Sequence, residues 1–88
     1  MKITRVGATK HVREKLLEKH GVEWHEVEDV MAQGMHPRRG KTAHGEPRYN
    51  ITGRTIAGRQ LKVIFALEDD GEARVVTAFD EDKKPRKK

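Results

Sequence analysis

Arg48 and Arg74 are the residues whose type and spacing suggest chemistry in this 88-residue chain. Alternation in the runs that carry them brings both to one face of a sheet, with Ala66 on the strand between. A guanidinium is a planar fork of donors that matches phosphate oxygens. Two of them about 10 Å apart at Cα, two strand spacings, leave room for a phosphate, although solvated surface arginines are the simpler reading. Upstream, residues 35–45 (MHPRRGKTAHG) carry His36, Arg38, Arg39, Lys41 and His44 and lead straight into Glu46 and Arg48. Imidazoles titrate near neutrality and suit proton transfer, and loops often carry function, but a plain solvated connection fits as well.

The elements that must position these groups lie between Glu46 and Phe79. Three runs, 48–54, 60–67 and 73–79, alternate with period two and are separated by Ile56-Ala57-Gly58 and Asp69-Asp70-Gly71. Three-residue loops closed by a left-handed glycine predict two hairpins in which Thr55 faces Arg59 and Glu68 faces Glu72. A one-residue slip would reverse every side chain, so these turns fix the faces. One face is then expected to hold the rows Tyr49–Phe65–Val75, Ile51–Val63–Thr77 and Gly53–Leu61–Phe79. The other holds Arg48–Ala66–Arg74, Asn50–Ile64–Val76 and Thr52–Lys62–Ala78.

The remainder supplies the second layer. Lys2 to Val6 reads as a short strand that pairs with one edge of the meander, which edge being open. Thr9 opens a helix with Val12, Leu16, Leu17 and His20 at helical spacing, and Gly21 stops it with Val22 behind. A second helix is predicted over 24–33, with Trp24, Val27, Val30 and Met31 buried and Glu23 and Glu26 in its first turn, where the helix dipole favours acids. The expected fold is two-layer α+β in the order β-α-α-β-β-β: two N-terminal helices packed on a mainly antiparallel four-stranded sheet. Residues 1–79 form one domain, and 80–88 are a charged tail in which Pro85 disfavours helix and disorder is expected.

Composition narrows the function classes. The chain has no cysteine, which excludes disulfides and thiolate chemistry and fits a reducing cytoplasm. No apolar run approaches a membrane span, so no membrane partner is expected. The net charge is +5, but Lys83, Lys84, Arg86, Lys87 and Lys88 account for it, leaving 14 basic and 14 acidic residues elsewhere. Basic character is thus local, in the tail and around Arg38, Arg39 and Lys41, compatible with nucleic acid or an acidic protein. The histidines lack zinc-site spacing, so neither metal nor cofactor is expected.

Lys19-His20-Gly21-Val22, followed by Trp24, Glu26, Val27 and Val30, resembles the helix pair of BrnT toxins in the RelE/ParE-like ribonuclease superfamily. Gly45-Glu46, Arg48-Tyr49, Gly53-Arg54-Thr55, Gly58-Arg59 and Arg74-Val75-Val76-Thr77-Ala78 are similar to the same family's sheet. A related family of unknown function has a first helix similar to His11-Val12-Arg13-Glu14. The BrnT resemblance implies an endoribonuclease toxin of a toxin–antitoxin pair that cuts messenger RNA without metal, free or at the ribosome, and is neutralised by an antitoxin. It carries over Glu46, Arg48, Arg54, Arg59 and Arg74 as the family's charged positions.

RNA cleavage by its own 2′-hydroxyl needs a base, a cation for the phosphate and an acid for the leaving 5′-oxygen. Arg48 and Arg74 would hold the phosphate, Glu46 or His44 would take the proton, and Lys62 or His36 would return one. Arg38, Arg39, Lys41, Arg54, Arg59 and Lys62 are candidates for contact with the nucleic-acid backbone. The competing expectation is a non-catalytic module that binds a protein or nucleic acid through a sheet face carrying Ile64, Val76 and Ala78, or that pairs with a second copy of itself.

Overall fold

The computed structural model describes residues 3–33, 37–40 and 45–81. Its elements are β1 (Arg5–Gly7), α1 (Lys10–His20), α2 (Trp24–Ala32), β2 (Arg38–Arg39), β3 (Tyr49–Arg54), β4 (Gln60–Leu67) and β5 (Glu72–Asp80). The sheet order is β1-β5-β4-β3-β2. β1 runs parallel to β5, and the other neighbours are antiparallel. The class is α+β as expected, but with five strands instead of four. The added strand is Arg38–Arg39, a two-residue pairing with Tyr49 and Asn50 inside what reads as loop; it is too short for alternation to reveal.

Both helices begin and end where their caps dictate. Thr9 Oγ1 accepts the Val12 N–H at 3.2 Å, and Gly21, at φ 63°, turns the chain so that its own N–H and that of Val22 reach the last carbonyls of α1. Val22 is then fully buried. At the start of α2 the Glu23 N–H donates to the Glu26 carboxylate at 3.0 Å. The short connection makes the helices neighbours, and both lie on one face of the sheet, where Leu16, Val22, Val27, Val30 and Met31 join Ile51, Leu61, Val63, Phe65 and Val75 in one apolar core. Leu17, expected inside, is 55% exposed, because α1 contributes a single fully buried side chain, Leu16. Trp24 is half-buried, with the Arg13 guanidinium 4.5 Å above its ring. The end of α2 approaches β3 at Gly53, where a Cβ would meet Gln33 Oε1 at 2.7 Å and Val30 Cγ1 at 3.2 Å.

The hairpins form as the glycines require. Gly58 and Gly71 have φ of 89° and 90°, and backbone bonds close Thr55 onto Arg59 and Glu68 onto Glu72. The expected row Tyr49–Phe65–Val75 and the pair Ala66–Arg74 are observed. Beyond them a β-bulge shifts the register between Ile64 and Phe65, leaving Val76 as the extra residue. The remaining rows therefore differ from expectation. Ala78 faces Val63 and Asp80 faces Leu61 on the helix side, while Thr77 and Phe79 lie opposite Ile64 and Lys62, the Phe79 ring standing 6.3 Å from the His20 ring at the end of α1. The bulge removes a threonine from the core and turns Asp80, only 7% exposed, inward to a guanidinium described below. β5 thus continues into what reads as tail; residues 82–88 lie outside the described residues.

Candidate active site on the open face

The face away from the helices carries the rows that matter for chemistry. Arg48 directly precedes Tyr49, so the β3–β4 register sets it opposite Ala66, which pairs with Arg74. Ala66 is fully buried although it stands outside the main core cluster, as a small residue between two long side chains would be. Next come Arg38–Asn50–Ile64–Thr77 and then Thr52–Lys62–Phe79. Lys62 is therefore on the same face but four residues along β4 from Ala66, about 13 Å.

Between the arginines stands a carboxylate. Arg74 Nη2 donates to both oxygens of Glu46, at 2.9 and 2.7 Å, and Arg48 Nε lies 3.6 Å from Glu46 Oε1. Arg74 Nε donates to Glu68 Oε2 at 2.6 Å. Four charged groups thus form a continuous chain, Arg48–Glu46–Arg74–Glu68, with no net charge. The bond to Glu68, and secondly that to Glu46, pushes the Arg74 pKa further up, so this guanidinium stays protonated. The arginines differ in burial: the Arg48 side chain is 15% exposed and that of Arg74 43%. Arg48 Nε is buried and makes no hydrogen bond among the described residues, so its hydrogen-bonding capacity is incompletely used.

Arg59 lies in a different environment. It projects to the helix side, where Nε donates to Asp80 at 2.6 Å and Nη1 to Glu26 at 2.9 Å and to the Gly21 carbonyl at 2.8 Å, with Nη2 on the His20 carbonyl at 3.2 Å. It caps α1 and ties both helices to β4 and β5. Hydrogen bonding to Asp80 outweighs the opposing effect of burial and raises its pKa.

Residues 8–80 match the model of a family described as a domain of unknown function (DUF4258). The chain belongs to this family. No curated protein matches it. Among solved structures, the fold is similar to the crystal structure of the Brucella abortus ribonuclease toxin BrnT, with a TM-score of 0.62, 15% identity, and coverage of 86% of this chain and 94% of that one. The DUF4258 domain described here therefore has a BrnT-like fold, as its sequence motifs imply.

Within this DUF4258 chain the candidate residues separate by face. Glu46, Arg48 and Arg74 come together, and Arg38 and Lys62 share their face at greater distance. Arg54, at the end of β3, is exposed and donates to the Gly58 carbonyl at 3.1 Å. Arg39 pairs with Tyr49, which puts it on the helix side, and Arg59 has its donors engaged within the fold. His36, Lys41 and His44 lie outside the described residues. Glu68 is the member of the cluster that sequence reading missed. Its only visible signal is parity, since residues 62, 64, 66 and 68 fall on the same side of β4 as Arg74 does on β5. Among the described residues no helix is long and apolar enough to cross a membrane.

Proposed function

We propose that this protein is an RNA-cleaving toxin that acts through the Glu46–Arg48–Arg74 cluster. The observation that carries the reading is the Glu46 carboxylate, held by Arg74 and adjoining Arg48 on the face the helices leave open. A carboxylate fixed beside two guanidiniums combines a base with cations for a phosphate whose charge grows in the transition state. In the proposed step Glu46 takes the proton of a ribose 2′-hydroxyl as that oxygen attacks the adjacent phosphorus. The bond to the 5′-oxygen breaks, and that oxygen takes up a proton from a general acid, the role assigned to Lys62 or His36. The products are a 2′,3′-cyclic phosphate and a 5′-hydroxyl. Arginine supplies the cationic charge, so added metal is not required. Arg38, Lys41, Arg54 and Lys62 are assigned to neighbouring phosphates of the strand. Arg39 and Arg59 are left out, the first for its face and the second for its occupied donors.

One feature favours a docking role as well. Ile64 is half-buried beside Lys62 on this face and Val76 is half-buried at the bulge, more apolar than a free sheet face requires. This surface is assigned to an antitoxin segment that would cover the site. Induction in bacteria tests the reading. The parent should arrest growth and degrade messenger RNA, and an Arg48→Ala, Arg74→Ala double variant should do neither. Normal growth with intact messenger under parent induction would end the nuclease proposal and leave the docking role.

A further inference from the structure

The open-face cluster is self-neutralised, and this raises the question of how an anion enters it. Two guanidiniums face two carboxylates, so an approaching phosphate meets no net positive charge unless one carboxylate leaves. The two acids are not held alike. Glu46 uses both oxygens on Arg74 and also adjoins Arg48, whereas Glu68 makes one contact, to Arg74 Nε. Glu68 is 41% exposed and Arg74 43%, so water can take up the carboxylate once it is released. Two neighbouring acids of the same turn, Asp70 and Glu72, already have a cation elsewhere: Arg5 Nη2 lies 3.0 Å from the first and 3.6 Å from the second. Arg74 is therefore Glu68's only ion-pair partner among the described residues.

We infer that Glu68 is a built-in competitor for the substrate phosphate, occupying the Nε edge of Arg74 at rest and exchanging with a phosphate oxygen when a strand binds. The inference rests on the reading of this face as a phosphate site and adds a residue to it. Glu46 stays in place as the base, and Glu68 sets how readily the site opens. Removing its charge should tighten binding, the opposite of what loss of a structural contact does.

The test is binding of a fluorescent single-stranded DNA oligonucleotide, which lacks the 2′-hydroxyl and cannot be cut, to the full chain and to E68Q, D69N and R74A. Asp69 is one residue away, exposed and without an ion pair among the described residues, so D69N controls for charge alone. An exposed pair is worth little, and its removal is expected to raise affinity roughly two- to fivefold in E68Q, with D69N close to the parent and R74A weaker. E68Q binding no tighter than D69N, while R74A is weaker, overturns the role of Glu68 and leaves the phosphate site standing. R74A binding as well as the parent overturns the phosphate site itself. A thermal melt of each variant identifies any that fails to fold, and in that case E68A takes the place of E68Q.

Discussion

Arg59, in the turn just before β4, and Arg74, on β5, are the same residue type, each beside two carboxylates, yet they sit on opposite faces of the sheet and do different work. Arg59 spends donors on backbone carbonyls as well as on Glu26 and Asp80, and the carbonyls are those that end α1. Such partners cannot leave without undoing a helix end. Among the described residues Arg74 is held only by side chains, Glu46 and Glu68, at a surface that water reaches. Its partners can be exchanged for a ligand at small cost. A guanidinium bound to backbone is structural, and one bound to exposed carboxylates is available for chemistry.

Substitution breaks the comparison most directly at Arg59. Arg59→Ala takes the guanidinium away from Asp80 and Glu26, whose side chains are only 7% and 13% exposed, and should lower the unfolding free energy in urea by about 3 kcal/mol. A loss under about 1 kcal/mol would mean that the clamp is an ordinary surface pair. Arg74→Ala should do the reverse, changing stability by no more than about 1 kcal/mol. Its effect belongs to cleavage, where loss of a group that stabilises transition-state charge typically costs roughly a hundredfold in rate. Gly53→Ala crowds Gln33 and Val30 where α2 meets β3, and should cost about 1 to 2 kcal/mol without changing oligonucleotide affinity.

The smallest effect concerns pH. Both guanidiniums have raised pKa values, so the stability they confer is complete below the ordinary arginine range and is lost only as pH climbs through the higher folded value. Between pH 5 and 9 neither should contribute a slope to stability, which urea titrations at several pH values can check.

What the sequence made legible was whatever local chemistry determines. Gly58 and Gly71 close three-residue loops that only a left-handed residue can finish, and this fixed both hairpins and the pairing of Ala66 with Arg74. Thr9 and Gly21 marked α1 through their capping roles. The bulge at Val76 was not legible, because Val75 and Val76 are adjacent apolar residues and alternation cannot say which is extra. What decides it lies far away in sequence, since Asp80 must turn inward to meet Arg59. The same long range hid the roles of Arg59 and Glu68, each of which has partners from elements distant in sequence or reached only through register.

The central claim is that Glu46, held between Arg48 and Arg74, performs chemistry on RNA. Its most direct test is the rate at which purified protein cuts a labelled single-stranded RNA, comparing the parent with Glu46→Gln in the presence of a chelator. The account predicts fragments ending in 2′,3′-cyclic phosphate and 5′-hydroxyl from the parent, and a rate at least roughly a hundredfold lower from the variant at unchanged thermal stability. Intact RNA with the parent, or equal rates for the two proteins, would contradict it.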